Sequence, residues 1–359
     1  MNKSKRIQCL DIARTFAIMS VVLCHAVELI YPMNVKGWTS LGMASRLFRT
    51  CFFTIGRLGV PIFLFISGYL LLNKKIENDE GCIKFYKHNL IPLLVITYIW
   101  IVIYNIFISL FYSKRFDLSI LVKEILFLEK VPVANMWYMP MIVGIYVAIP
   151  FVNKIIKNFS IKSLRIPMLI VFGIYFIIPN INAFMSTFKL KQYTTILDTS
   201  FLGGIYGLYI ITGYLISKDY LKRIKYRWLV LISMFGFILA CLMQIFIYTK
   251  SFQYNVWYNS ALIFICTACL FEIFTRVDAK KINIKLMNIC TDISKISLAI
   301  FFVHIIIEQI LKKYIIAINI SNPIKVLVLF AVSFCISILI IQILSKIKLI
   351  KRYVFFIKE

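Results

Sequence analysis

The feature that most constrains this chain is residues 10–31, an apolar stretch long enough to cross a bilayer that nevertheless carries four ionisable side chains. Arg14 and His25 are separated by about three helical turns, so both project from nearly the same helix face. Asp11 lies one turn before Arg14, and Glu28 lies one turn after His25. Ionisable groups are costly in hydrocarbon and normally face a protein interior or a wet cavity. The stretch therefore predicts a membrane helix that lines an embedded active site.

The composition places the chain among polytopic membrane proteins. Apolar residues make up 61% of its 359 residues and charged residues 16%, whereas soluble domains are about 45–50% apolar and 25% charged. In lipid, backbone polar groups are satisfied either within helices or within a closed β-barrel. The sequence shows no barrel-type alternation of apolar and polar residues, so we expect helices. We expect an all-α protein in which residues 1–359 form one membrane-embedded domain. The expected spans, about ten in number, are 10–31, 50–72, 90–112, 134–153, 164–180, 200–217, 228–248, 256–274, 294–312 and 323–345.

The placement of Lys and Arg predicts the orientation of these spans. With the N-terminus inside, the cytoplasmic segments hold roughly 25 basic residues and the opposite side about 13, in line with the positive-inside rule. An even number of spans with both termini cytoplasmic follows. The basic N-terminus is also typical of a signal peptide, but residues 10–31 are too long and too charged for an h-region, so we expect a retained first helix. The pattern predicts residence in a bacterial cytoplasmic membrane.

Charge and cysteine usage argue against two other kinds of site. A net charge of +26 would indicate nucleic-acid binding in a soluble protein, but these basic residues lie in short loops between apolar segments, where they set orientation. Cys266 and Cys269 form a Cys-x-x-Cys pair without a second ligand pair, and a zinc site needs more ligands. We therefore expect no nucleic-acid partner and no metal, and a packing role for the cysteines.

Three later spans carry further candidate residues, each with two interpretations. Arg57, near the outer end of the second span, either snorkels to the interface or projects into the cavity of the first-helix histidine. Trp137 and Tyr138 begin the fourth span and are either aromatic-belt residues or walls of a site that suit a sugar ring. His304 lies one turn before Glu308 on the ninth span. It is either a satisfied structural histidine or part of the site.

Four sequence blocks, in this order, resemble the acyltransferase family 3 of ten-helix membrane acyltransferases, and together they cover most of the chain. Each block is weak alone, and the order and gaps give the resemblance its specificity. The blocks are Leu10-Asp11 followed by Arg14 and His25, GRLGVPIFLFISGYL at 56–70, NMWYM at 135–139, and SLAIFFVH at 297–304.

The resemblance implies acyl-CoA, with acetyl-CoA the expected form, as the cytoplasmic donor and a hydroxyl of a cell-surface carbohydrate or its precursor as the acceptor. It places donor binding at Arg14, Ser67, Lys74 and Lys75. Some members carry an Arg-x-x-Arg pair where this chain has Lys74 and Lys75, which weakens the donor-phosphate role there. Many members also carry an SGNH-type esterase domain that this sequence lacks. The protein is therefore expected to act alone or to pass acyl groups to a separate secreted acyltransferase or esterase.

A mechanism consistent with these residues uses His25 as the base, because imidazole exchanges protons near neutral pH and an alcohol is a poor nucleophile without one. Direct attack by the acceptor and transient acylation of His25 both stay open. Arg14 is predicted to bind the carbonyl or phosphate end of the donor, with Asp11 holding it in place. The alternative for Arg14 and Asp11 is an inert ion pair at the interface. The residues predicted on the acceptor side are Glu28, Arg57, Trp137, Tyr138 and His304.

Two other functions compete with acyl transfer. Intramembrane charges and Gly-rich helices also suit a transporter or exporter of a small anion or glycan precursor, although no inverted repeat is evident. The chain is alternatively a partner-dependent subunit that serves a secreted esterase, and self-association into homo-oligomers is left open. A membrane hydrolase is disfavoured because the sequence contains neither GxSxG nor HExxH.

Overall fold

A computed structural model describes residues 7–195 and 203–357, and every regular element within those ranges is a helix. Eight of these helices are long and apolar enough to cross a membrane. The expected fold class, an all-α polytopic membrane protein, is confirmed. The side of the membrane on which the termini lie stays a prediction.

The principal helices, in chain order, follow the predicted spans. They are α1 Gln8–Ile30, α2 Met43–Leu71, α3 Asp79–Tyr112, α4 Tyr138–Asn158, α5 Ile161–Ser186, α6 Gly204–Ser217, α7 Tyr226–Thr249, α8 Ala261–Thr275, α9 Ile284–Ala317 and α10 Asn322–Leu344. Short helical segments lie between or after them, at Val35–Thr39, Leu118–Ile125, Ala279–Lys281 and Ile350–Val354.

Two of the predicted spans, the sixth and the eighth, correspond to helices shorter than a full crossing. Helix α6 has 14 residues and α8 has 15, whereas a straight helix needs about 20 residues for a 30 Å hydrocarbon core. The predicted sixth span starts at 200, and its first residues lie outside the described part of the chain. The predicted eighth span starts at 256, but the chain becomes helical only at Ala261. The residues just before α8 are therefore free to contribute to a site.

Helix α1 occupies the centre of the fold. It packs against α2, α8, α9 and α10, and 78% of its most apolar window is buried in protein, against 11% for α5. Polar bonds join it to α9, because Thr15 donates to the Cys290 carbonyl at 2.9 Å and Ser294 donates to Asp11 at 2.7 Å. The ionisable stripe of α1 thus faces protein, as its composition predicts.

Helix α2 is interrupted at Leu58, between the segments Met43–Arg57 and Gly59–Leu71. Two glycines beside this interruption let α2 approach α1 closely. A Cβ at Gly56 would lie 2.5 Å from the Cys24 Cβ, and a Cβ at Gly59 would lie 2.5 Å from the Ala17 carbonyl oxygen. Because these positions lack side chains, the C-terminal end of the segment Met43–Arg57 lies close to the C-terminal half of α1.

Candidate active site

His25 is one end of a chain of three charged or titratable side chains, with Glu28 in the middle. Its Nδ1 lies 3.0 Å from Glu28 Oε2, one turn later on α1. Arg57 from α2 donates through Nη2 to the other carboxylate oxygen, Glu28 Oε1, at 2.7 Å. A carboxylate held by a guanidinium is an acceptor, so Nδ1 of His25 carries the proton in its neutral form. The other ring nitrogen, Nε2, is thereby left as the acceptor that a general base needs.

Arg57 is buried among aromatic rings rather than extended to an interface. It is only 5% exposed, and its Nη1 donates to the Tyr258 hydroxyl at 3.3 Å. Its guanidinium carbon lies 4.3 Å from the Trp257 ring centroid and 4.5 Å from that of Phe53. These contacts favour the interpretation in which Arg57 projects inward over the one in which it snorkels.

A small pocket of about 10 Å³ adjoins His25, close to the least space that holds one water. It brings His25 together with three other predicted residues, Arg57, Trp137 and Tyr138. Trp137 stacks on Tyr258 with ring centroids 5.4 Å apart, and its centroid is also 5.4 Å from that of Trp257. The full lining is Val21, Cys24, His25, Gly56, Arg57, Val60, Asn135, Trp137, Tyr138, Tyr258 and Phe301.

A second cavity, of about 230 Å³, contains Arg14. Its other polar lining comes from Ser67, Ser297, Tyr138 and Tyr146, and the rest is apolar. The two cavities share part of their walls. The residues that line both are Val21, Val60, Tyr138 and Phe301. The Arg14 cavity and the His25 pocket are therefore neighbours beside α1, with these four side chains between them.

Asp11 anchors Arg14 at its cavity. Arg14 Nη1 lies 3.3 Å from Asp11 Oδ1, which also accepts the 2.7 Å bond from Ser294. Asp11 is fully buried, whereas a quarter of the Arg14 side chain is exposed. The carboxylate is thus fixed to α9, and the guanidinium it holds is presented to the cavity.

Five predicted site residues lie outside both cavity linings, and two of them, Asp11 and Glu28, bind a lining residue directly. Lys74 and Lys75 are exposed beyond the end of α2, and Lys74 donates to Asn89 at 2.7 Å. His304 is fully buried, with its ring centroid 5.5 Å from that of His25. Its Nδ1 lies 2.8 Å from the Ile300 carbonyl oxygen. His304 therefore contacts the candidate base rather than the pocket.

Two residues that sequence reasoning did not single out belong to the site, Asn135 and Tyr258. A signal for Tyr258 was present, since Trp-Tyr dipeptides occur both at 137–138 and at 257–258, and the structure brings the two pairs together. Asn135 is the first residue of the NMWYM block at 135–139, two residues before the first Trp-Tyr pair. Its burial beside His25 depends on the tertiary fold.

A larger cavity of about 560 Å³ lies apart from these residues, between α4, α5 and α6. Its lining is apolar except for Tyr206, and it contains none of the predicted site residues. In the described part of the chain, the two cavities beside α1 are therefore the ones that contain ionisable side chains of the predicted site.

Comparison with known proteins gives one clear result. The family model described as "Acyltransferase domain", that of acyltransferase family 3, matches residues 7–342, which is nearly the whole chain. No curated protein and no solved structure matches it.

Proposed function

Because this chain belongs to acyltransferase family 3 and is a multi-pass membrane acyltransferase, we propose that it moves an acetyl group from acetyl-CoA to a hydroxyl of a cell-surface carbohydrate or its precursor. The observation that carries the proposal is the Arg57–Glu28–His25 chain at the wall of a pocket. That pocket shares four lining residues with the Arg14 cavity. Residence in a bacterial cytoplasmic membrane is part of the proposal.

His25 acts as the base in this mechanism. Glu28 accepts from Nδ1–H, which keeps Nε2 free to take the proton of the acceptor hydroxyl. The hydroxyl oxygen forms a bond to the acyl carbon, the carbon–sulfur bond of the thioester breaks, and the proton passes from His25 to the departing thiolate. In the alternative route His25 Nε2 attacks the acyl carbon and expels the thiolate, and the acceptor hydroxyl then displaces Nε2 while its proton passes to the thiolate. Both routes need an unprotonated Nε2, as a base in the first and as a nucleophile in the second.

Arg14 binds the donor in the 230 Å³ cavity. Its guanidinium offers charge-assisted bonds to a carbonyl or phosphate oxygen, and Ser67 lies on the same wall. Asp11 holds Arg14 in position and offsets its charge. The exposed Lys74 and Lys75 attract the anionic donor from solution by general electrostatics rather than from within the cavity.

The acceptor binds among the aromatic rings on the other side of His25. Trp137, Tyr138 and Tyr258 border the pocket, and flat aromatic faces suit the apolar faces of sugar rings. Trp257 is 37% exposed, so the aromatic cluster reaches the protein surface. This access is consistent with an acceptor that enters from the end of α1 opposite to Arg14.

Acetyl-CoA consumption and ester formation by purified protein test the proposal, with His25→Ala as the principal variant. We expect the variant to fold and to lose transfer by about 10³-fold, within the range of general acid–base effects. His88→Ala is the matched control, because His88 is exposed and bonds only to the Lys84 carbonyl in the described structure. Wild-type rates in the His25 variant would contradict the proposal.

A cellular measurement separates acyl transfer from transport. Surface polysaccharide is analysed by mass spectrometry in cells with and without the gene. Base-labile acetyl esters are expected only in the cells that carry the gene. Equal ester content together with altered export of a glycan precursor would instead favour the transporter.

A further inference from the structure

Asn135 contributes a polar group to the His25 pocket that the mechanism above does not use. It lies in the turn before α4, is 1% exposed, and lines the pocket together with His25 and Arg57. Its Nδ2 donates to the Phe301 carbonyl at 2.7 Å and to the Tyr104 hydroxyl at 3.1 Å. These two bonds tie the turn to α9 and α3.

The orientation of this amide is fixed by its partners. The Phe301 carbonyl can only accept, and the Tyr104 hydroxyl already donates to the Phe302 carbonyl at 2.7 Å, so both require the NH₂ group of Asn135. The carbonyl oxygen Oδ1 must then point the other way. It is buried and has no hydrogen-bond partner among the described residues.

An unpartnered buried acceptor is uncommon, because burial removes the water that would otherwise satisfy it. Here the same pocket has a matching donor, since Arg57 Nε is also buried without a partner in the described structure. One unused acceptor and one unused donor therefore flank His25. A hydroxyl group, which donates one bond and accepts others, is complementary to such a pair.

We propose that Asn135 Oδ1 accepts a hydrogen bond from the hydroxyl vicinal to the one that is acylated, so that the site selects 1,2-diols. The inference rests on the proposed acetyl transfer to a carbohydrate. The reacting hydroxyl must give its proton to His25 Nε2, so it is not the donor to Asn135. The donor to Asn135 Oδ1 is instead a neighbouring hydroxyl on the same ring. Asn135 is thus a positioning residue, and its ligand is a carbohydrate ring with an unsubstituted hydroxyl next to the acylated one.

Two small probes test the inference without knowledge of the natural acceptor. Purified protein is given acetyl-CoA with either cyclohexanol or trans-1,2-cyclohexanediol, and kcat/KM for each ester is measured by mass spectrometry and thiol release. After division by two for its two hydroxyls, the diol is expected to be preferred by at least about tenfold, the effect of one hydrogen bond to a buried group. Equal use per hydroxyl would overturn the inference, and this wild-type comparison requires no variant to fold.

Variants then assign the preference to one oxygen. Asn135→Ala is expected to bring the two probes within about twofold of each other. Tyr104→Phe is the matched control, because it removes a partner of Nδ2 and leaves Oδ1, and it is expected to keep the diol preference. Loss of preference in Tyr104→Phe but not in Asn135→Ala would overturn the assignment.

The same assay separates failure of this inference from failure of the proposed function. Transfer to both probes at equal rates per hydroxyl would remove only the diol subsite. If wild-type protein acetylated neither probe and did not consume acetyl-CoA, the proposed acetyl transfer would fall and the subsite with it.

Discussion

Two histidines at the core of this protein share a sequence signature and differ in their surroundings. His25 and His304 both lie on membrane helices, each with a glutamate one turn later, and their ring centroids are 5.5 Å apart. Glu28 is bound by Arg57 at 2.7 Å, and a quarter of its side chain is exposed. Glu308 is fully buried, and in the described structure its contact is a 3.5 Å bond from Ser333, with no salt bridge.

The two pairs differ in spacing, three residues against four, and among the described residues only the first glutamate is bound by a cation from another helix. The Arg57 guanidinium stabilises a charged Glu28, which in turn fixes the ring of His25 beside a pocket. A charged Glu308 would be costly in its apolar surroundings without such a partner. We therefore expect catalysis to depend on the first pair and packing to depend on the second.

Substitution of the two imidazoles gives the largest expected contrast. His25→Gln removes the base, and transfer should fall by about 10³-fold. His304→Gln removes a ring that packs against His25 and Phe301, so we expect a loss of no more than about tenfold, from less exact positioning of the base. Steady-state kinetics of both variants in one detergent preparation measures the contrast. Similar losses in the two would mean that the histidines act as a catalytic unit.

Changing the cation should have the next largest effect. Arg57→Ala leaves Glu28 without its partner and is expected to slow transfer by about 10²-fold, because orienting groups around a catalytic histidine have effects of that size or more. Arg57→Lys keeps the charge but loses the fork that reaches both Glu28 and Tyr258, so a loss of about tenfold is expected. Measurement of kcat checks this prediction, because kcat should fall in the order wild type, Arg57→Lys, Arg57→Ala. Full activity in Arg57→Ala would show that His25 is oriented without Glu28.

The arrangement of site residues can be predicted from the sequence where it depends on one helix. It cannot be predicted where it depends on how two helices meet. Helical periodicity places Arg14 and His25 on one face, and in the structure they line two neighbouring cavities that share four residues. The bond from Arg57 to Glu28 depends on the interruption of α2 at Leu58 and on the glycine contacts of α2 with α1. Residue spacing within one segment carries no information about such an approach.

Two other features show the same limit. Lys74 and Lys75 were predicted at the donor site from their place in a sequence block, but they lie outside the cavity linings, because the chain becomes exposed beyond Leu72. Tyr258 falls in a segment predicted to be helical that instead precedes α8. The hydropathy of an apolar segment does not show at which residue within it the helix begins.

The contact between α1 and α2 offers a smaller perturbation of the same arrangement. Gly56→Ala places a Cβ 2.5 Å from the Cys24 Cβ, so α2 must shift, at an expected cost of about 1–3 kcal/mol in stability. A lower melting temperature and a several-fold slower transfer are expected together, because Arg57 moves with α2. Gly144→Ala is the control, since nothing lies within 4 Å of its added Cβ. Equal behaviour of the two variants would indicate that the close approach is not needed.

The smallest expected effect lies on the His304 side. Ser333→Ala removes the hydroxyl that contacts Glu308 and should cost about 1 kcal/mol of stability, with transfer unchanged. Thermal unfolding followed together with acetyl-CoA turnover measures both quantities. A clear loss of turnover without a loss of stability would assign a catalytic role to the Glu308 pair.

The most direct test of the account is to neutralise each glutamate in the same assay, with Glu28→Gln and Glu308→Gln compared at equal folded fractions. The amide keeps the shape of the carboxyl group and removes its ability to carry a charge. We predict that Glu28→Gln lowers kcat by about 10²-fold, by disturbing the tautomer and orientation of His25, and that Glu308→Gln stays within about threefold of wild type. Equal losses in the two variants, or a larger loss in Glu308→Gln, would contradict the assignment of His25 as the base.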